Sequence, residues 1–153
     1  MTMKKINRIS FGGRAAIVTS MALITGLNAV GTGKSTLITA LLIAALADNI
    51  SDSLSIHIYQ ESVRLDEREA FIGTLSNFIT RLLGSLSFVF LVVVFSPAIV
   101  VLVSIVWGML LLGLLSYLLA RERNVGIISE IIKHLVVAAA VLMISKIIVY
   151  FLA

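Results

Sequence analysis

The sequence has no cysteine, one proline and few charged residues. Without cysteine the chain cannot form disulfide bonds, thiolate metal sites or a cysteine nucleophile. Charged residues make up 13% of the chain, whereas soluble domains carry about 25%. Apolar residues make up 59%, and the mean hydropathy is +1.11. A soluble fold of this composition would expose large apolar patches to water, so the composition indicates a membrane protein.

Five apolar segments, separated by short polar breaks, account for most of the chain. Most of them reach the roughly 20 residues that a helix needs to cross a bilayer. Backbone amides in lipid must be hydrogen-bonded within their own segment, so we expect helices. A cleaved signal peptide is not expected, because no small-residue cleavage site ends the first segment. The sequence predicts one all-α transmembrane domain over residues 1–153, with five spans: 15–30, 35–58, 73–95, 98–119 and 127–152.

The basic residues predict the orientation of this bundle. With five spans and a cytoplasmic N-terminus, Lys34 falls on the outer side. The inner side holds nine basic residues, the last of them near the inner end of the fifth span: Lys4, Lys5, Arg8, Arg14, Arg64, Arg68, Arg121, Arg123 and Lys133. This asymmetry follows the positive-inside rule. The net positive charge therefore indicates contact with anionic lipid and not with nucleic acid. By Tyr59 the second helix has risen about 36 Å, so we expect it to project into the cytosol.

Residues 28–35, NAVGTGKS, nearly complete the phosphate-binding motif GxxxxGK[ST]. The position of the first glycine is Asn28, and the predicted topology places the segment on the outer side, away from cytosolic ATP. Glycines at the corner of a helical hairpin need no nucleotide to explain them. We therefore expect no nucleotide binding, no enzyme activity and no cofactor.

The second segment carries acidic residues within a predicted span. Asp48, Asp52 and Ser55 fall on one helical stripe, and Asn49 lies beside it. An acid near the centre of a span costs about 2.5–3.5 kcal/mol, so such groups are retained when they are paired or when they handle ions. Carboxylate, amide and hydroxyl oxygens suit Mn²⁺ or Fe²⁺, and the carboxylates can also accept protons. Glu61 follows in the cytosolic extension. These five residues are the predicted metal ligands.

Arg81 lies in the third segment at a depth similar to that of Asp48. Two hypotheses follow. In the first, the protein is a secondary transporter of divalent cations, and Arg81 is a counter-ion that a cation or a proton displaces. In the second, the protein is a non-transporting scaffold or accessory subunit, and a structural Asp48–Arg81 ion pair makes both buried charges tolerable.

Three stretches resemble the vacuolar iron transporter family. Residues 47–62, ADNISDSLSIHIYQES, resemble the end of that family's second transmembrane helix. Residues 17–27, IVTSMALITGL, resemble its first helix, and residues 130–148, EIIKHLVVAAAVLMISKII, resemble its fifth. The resemblance implies a homodimeric, proton-coupled exporter of cytosolic Fe²⁺ or Mn²⁺. Its similarity to small prokaryotic members implies a multi-pass protein of the prokaryotic cell (inner) membrane.

The chain departs from the family pattern at the metal site. The aspartate of the family's first helix aligns with Ala15, its second-helix methionine with Asp52, and the glutamate after it with Ile56. The metal-binding insertion between the second and third helices is missing. The resemblance therefore implies the fold more fully than the ligands, and we expect an all-oxygen site centred on Asp48 and Asp52.

Overall fold

The computed structural model describes residues 3–62 and 66–152, with side chains over 13–62 and 66–151. The described chain forms five α-helices, which confirms the all-α prediction. They are α1 (Met3–Ala29), α2 (Lys34–Ser62), α3 (Glu67–Val94), α4 (Pro97–Arg123) and α5 (Ile127–Leu152). Most helices extend beyond the predicted spans, because the polar residues at the ends of those spans continue the same hydrogen-bonded turns.

Four helices, α2 to α5, are long and apolar enough to cross a membrane. Their outward surface carries large apolar side chains such as Leu83, Leu102 and Leu110. α1 is not one of the four. It is dotted with hydroxyl-bearing residues and packs against all four other helices. A helix enclosed by the bundle in this way needs less apolar surface than one that faces lipid.

The segment that resembles a phosphate-binding loop forms the turn between α1 and α2. Gly31 adopts a positive φ of 72°, and its N–H donates to the Asn28 carbonyl at 3.1 Å. This left-handed residue ends α1, a conformation that glycine adopts without strain. Lys34 Nζ donates to the carbonyl oxygen of Val93 at 2.5 Å. The lysine thus satisfies an exposed carbonyl at the C-terminal end of α3, where a cation is favourable.

The other described turns also follow local chemistry. Ser96 is extended (φ −73°, ψ 155°) before Pro97, which opens α4. Proline disfavours helical geometry in the preceding residue and fits the first turn of a helix, so α3 and α4 form a tight hairpin. Asn124 ends α4 in the left-handed conformation, with φ 52°.

The interior has an apolar half and a polar half. Near the α1–α2 turn, Met21, Ile24, Leu41, Phe88 and Val92 form a buried apolar cluster. The rest of the interface between α2 and α3, towards the end of the bundle where α1 begins, holds polar side chains instead. The fully or nearly buried ones on these two helices are Asn49, Ser53, Gln60, Asn77, Arg81 and Ser85. Polar groups inside and apolar groups outside suit a bundle whose solvent is lipid.

Candidate cation site between α2 and α3

An acid and a base pair inside the bundle where α2 meets α3. Asp52 Oδ2 lies 3.1 Å from Arg81 Nη1, and Asn77 Nδ2 donates to the same oxygen at 3.0 Å. The Arg81 side chain is 8% exposed and that of Asp52 is 28% exposed. The opposite charge of Asp52 makes the buried guanidinium tolerable, although Arg81 Nε has no hydrogen-bond partner among the described residues.

The predicted Asp48–Arg81 ion pair is wrong in its acidic member. The carboxylate that pairs with Arg81 is that of Asp52, one helical turn further along α2. The reason is the rotation of α2. Its buried face runs through Ala45, Asn49 and Ser53, so Asp52 flanks that face and contacts α3, whereas the Asp48 residue is exposed.

Asp48 lines a small cavity between α1, α2 and α3. Ser20 of α1 and Ser85 of α3 line the same cavity, as does Arg81. The guanidinium of Arg81 therefore borders this polar space while its Nη1 contacts Asp52. Both acids of the predicted site therefore lie near Arg81. Asp52 contacts the guanidinium directly, and Asp48 lines the same cavity as Arg81.

Three buried oxygens at the same α2–α3 interface have no hydrogen-bond partner within the part of the chain that the structure describes. They belong to Asn49 (Oδ1), Ser53 (Oγ) and Asn77 (Oδ1). The Asn49 amide is held in place because its Nδ2 donates to the Phe78 carbonyl at 2.8 Å. An unpaired buried polar group costs about 1–3 kcal/mol, so a cluster of them calls for a ligand or water. Neutral amide and hydroxyl oxygens are hard ligands of the kind that divalent cations bind.

Two of the predicted ligands lie away from this cluster. Ser55 is exposed, and its hydroxyl donates to the Ser51 carbonyl of its own helix at 2.9 Å. Glu61 Oε1 lies 3.3 Å from His57 Nε2, and both side chains are exposed. The structure therefore brings Asn49, Asp52 and Arg81 together and leaves Ser55 and Glu61 outside. The assignment of these residues as metal ligands stays a prediction.

Acidic and histidine side chains alone do not form a metal centre here. Within residues 13–62 and 66–151, no three of them lie close enough to hold one ion together. A cation at the α2–α3 interface would take one carboxylate, that of Asp52, and complete its shell with neutral oxygens. Binding of such a cation would also require Arg81 to move away from Asp52. The guanidinium is bonded to the carboxylate, and its positive charge repels a cation.

Sequence reasoning missed two members of the cluster, Ser53 and Asn77. The reasoning followed the acidic stripe through Asp48 and Ser55, which is the neighbouring face of α2. A usable signal was present on α3, where residues buried at every fourth position are small or polar: Gly73, Asn77, Arg81 and Ser85. In an apolar helix, such a row indicates the face that meets another polar helix.

The polar interface continues in one direction only. Thr74 Oγ1 donates to Gln60 Oε1 at 3.3 Å, which extends the line of polar contacts towards the end of the bundle where α1 begins. In the opposite direction Leu41 and Phe88, each at most 1% exposed, close the space between the helices. The polar interface therefore runs from the end of the bundle where α1 begins and stops at the apolar cluster. The candidate site lies where the interface stops.

Comparison with family models, with curated proteins and with solved structures finds no match for this chain.

Proposed function

We propose that the protein is a secondary transporter that exports divalent cations, Fe²⁺ or Mn²⁺, from the cytosol in exchange for protons. The observation that carries this proposal is the half-buried carboxylate of Asp52 at a helix interface where three buried oxygens, of Asn49, Ser53 and Asn77, lack partners among the described residues. In this proposal Arg81 is the resting counter-ion. The cation is a transported substrate, and the protein catalyses no covalent reaction and holds no resident cofactor.

Exchange follows from competition for one carboxylate. Arg81, a divalent cation and a proton each neutralise Asp52, and no two of them can do so fully at once. Arrival of the cation drives Arg81 towards the cavity that it already lines with Asp48. Protonation of the carboxylate later expels the cation, and deprotonation restores the ion pair. Because the proton and the cation compete for the same carboxylate, the protein exchanges one ion for the other and does not let either ion pass alone.

The orientation belongs to the same proposal. Arg14, Arg121, Arg123 and Lys133 gather at the end of the bundle where α1 begins, as their pairings and positions on α1, α4 and α5 require. The positive-inside rule makes this end cytoplasmic. The polar interface then opens to the cytosol and the apolar cluster faces outward. α2, about 44 Å long, projects on the cytosolic side.

A second copy of the chain completes the proposed transporter. Asp48, Ser51 and Ser55 are exposed along α2, inside a helix apolar enough to span a membrane. Polar side chains that face hydrocarbon are costly. A homodimer that joins two α2 helices along this face would cover them and would place Asp48 near the partner. We propose the prokaryotic cell (inner) membrane as the host, with lipid, protons and the metal ion as the other partners.

Transport is tested in proteoliposomes that contain a metal-sensitive dye. Wild-type protein should carry Mn²⁺ or Fe²⁺ against a proton gradient, and Asp52→Asn should abolish the flux. The matched control is Asp66→Asn, which neutralises an exposed aspartate before α3 whose side chain makes no capping hydrogen bond. Equal flux in Asp52→Asn and in wild type would contradict the site, and absence of flux in wild type would contradict the function.

The Asp52–Arg81 pair also supports the alternative of a scaffold or accessory subunit, because hydrogen bonds from Asn77 and Arg81 satisfy the carboxylate without any cation. The charge swap Asp52→Arg/Arg81→Asp separates the two functions. A structural pair predicts that the swap restores the thermal stability that each single change removes. A cation site predicts that transport stays absent even in a stable swapped protein.

A further inference from the structure

A second polar cluster joins three helices at the end of the bundle where α1 begins. At its centre is His134 of α5. Its Nε2 contacts Nη1 of Arg14 on α1, and its Nδ1 lies 3.1 Å from Ser116 Oγ on α4. The same Nδ1 lies 2.8 Å from the carbonyl oxygen of Glu130. The His134 side chain is 22% exposed.

These partners define one protonation state of the ring. A guanidinium only donates hydrogen bonds, so Nε2 facing Arg14 must be an acceptor. A carbonyl oxygen only accepts, so Nδ1 facing Glu130 must carry the hydrogen. Both conditions are met by the neutral imidazole with its hydrogen on Nδ1. The hydrogen bond between Arg14 of α1 and His134 of α5 therefore requires a histidine that is neutral.

A proton on Nε2 would replace Arg14 by Glu130 as the partner of that nitrogen. The acceptor lone pair would be lost, and the imidazolium would face the positive charge of Arg14. The Glu130 carboxylate is already near, with Oε1 3.9 Å from Nε2. That carboxylate is also approached by Arg123 at 4.0 Å and by Lys133 at 3.8 Å.

We propose that His134 is a second proton-binding residue of the exchange cycle, beside Asp52, and that its protonation breaks the contact with Arg14 and so changes the packing of α1 against α5. Arg14 stands two residues before Ala16, and Ala16, Thr19 and Ser20 line the cavity beside Asp48 and Arg81. Movement of α1 would therefore change the space into which Arg81 must withdraw. The inference deepens the proposed function and rests on it for the coupling to transport, whereas proton binding by His134 is testable by itself.

The first test measures the ring directly. The chain has two histidines, so His57→Gln leaves His134 as the single source of a ¹⁵N-histidine signal. In bilayers at about pH 7.5 we expect the neutral tautomer with hydrogen on Nδ1, and on acidification to about pH 5.5 we expect a second hydrogen on Nε2. A neutral ring with hydrogen on Nε2, or a ring unchanged between these conditions, would overturn the proposal.

The second test measures the α1–α5 contact. Because the chain has no cysteine, Ala15→Cys and Val137→Cys give one spin-labelled pair at two exposed positions on these helices. The distance between the labels should change on acidification in the parent protein and in the His57→Gln control. It should not change in His134→Gln, since glutamine can bond to Arg14 but cannot take up a proton. An equal response in His134→Gln would overturn the proposal.

A transport measurement separates this proposal from the proposed function. His134→Gln should keep metal binding but lose the stimulation of flux by a proton gradient, whereas Asp52→Asn should lose both. If wild-type protein carries no metal while the ring and the helix distance respond to pH, the transport function fails and the role of His134 in binding a proton stands. If flux in His134→Gln responds to the gradient as in wild type, the role of His134 in coupling is refuted.

Discussion

Asp52 of α2 accepts hydrogen bonds from Arg81 and from Asn77 of α3 at the same carboxylate oxygen, at 3.1 Å and 3.0 Å. The two donors lie one helical turn apart on α3, so this oxygen fixes the register of the two helices. Three neighbouring buried oxygens have no partner. The charges of Asp52 and Arg81 therefore balance at this interface, whereas three of its buried oxygens accept no hydrogen bond from the described residues. The predictions for the site follow from these two facts.

Asp52→Asn should lower the free energy of unfolding by about 3 kcal/mol, because it leaves the Arg81 charge buried without its partner. The double variant Asp52→Asn/Arg81→Gln should lose clearly less than the sum of the two single changes. Thermal unfolding in detergent measures these differences. Additive losses would show that the two side chains do not interact.

Asp48→Asn should change stability by no more than about 0.5 kcal/mol, because Asp48 is exposed and the ion pair is formed by Asp52. The same unfolding assay compares Asp48→Asn with Asp52→Asn under identical conditions. A loss as large as that of Asp52→Asn would mean that Asp48 carries the structural charge after all.

Gly108→Ala should lower the free energy of unfolding by about 1–3 kcal/mol through overpacking. A methyl group there would meet Met21, with Cγ at 2.7 Å and Sδ nearer still. Met21 is fully buried in the apolar cluster and has little room to move. Gly113→Ala on the same helix is the matched control, since nothing lies within 4 Å of its added methyl group. Equal unfolding temperatures for the two variants would contradict the close approach of α1 and α4.

Gly31→Ala should cost about 1–2 kcal/mol, because an L-residue is strained at the positive φ that ends α1. Gly33→Ala is the control in the same turn, where the backbone needs no positive φ and a methyl group meets nothing. If the turn acted as a nucleotide loop instead, ATP would raise the unfolding temperature of wild type, and Lys34→Ala would remove that effect. We expect no such shift.

His134→Gln should leave the unfolding temperature at about pH 7.5 within a few degrees of wild type, because the amide can accept from Arg14 and donate to Glu130 as the neutral ring does. Acidification to about pH 5.5 should then destabilise wild type more than the variant, because a proton on Nε2 removes the acceptor that Arg14 uses, whereas the glutamine amide keeps it. Thermal unfolding across this pH range checks the difference. A variant as sensitive to acid as wild type would contradict this account.

Much of the fold followed from the chain alone. The lengths of the apolar segments and the breaks between them predicted five helices, and the glycines within residues 28–35 indicated the turn between the first two. This worked because helix formation in an apolar segment depends on local hydrogen bonds and on hydropathy, both of which can be read residue by residue. The candidate acids also followed, since a charge within such a segment is visible in any context.

The pairing of those acids could not be obtained in the same way. Which of Asp48 and Asp52 meets Arg81 depends on how α2 is rotated about its own axis. Successive residues of a helix are about 100° apart, so a modest rotation changes which acid faces α3. Two adjacent faces of α2 both carry polar residues, so periodicity alone did not distinguish them. The contribution of Asn77 depends on α3 lying antiparallel to α2 at one particular register, which no segment encodes by itself.

The sequence by itself determined the helices, their apolar surfaces and the presence of buried charge, because these depend on the free energy of transferring each segment into lipid. The tertiary structure decided which charge meets which, that Lys34 contacts the end of α3, and that His134 links α1 to α5. Those are choices among side chains of similar chemistry, and the packing of one helix against another makes them.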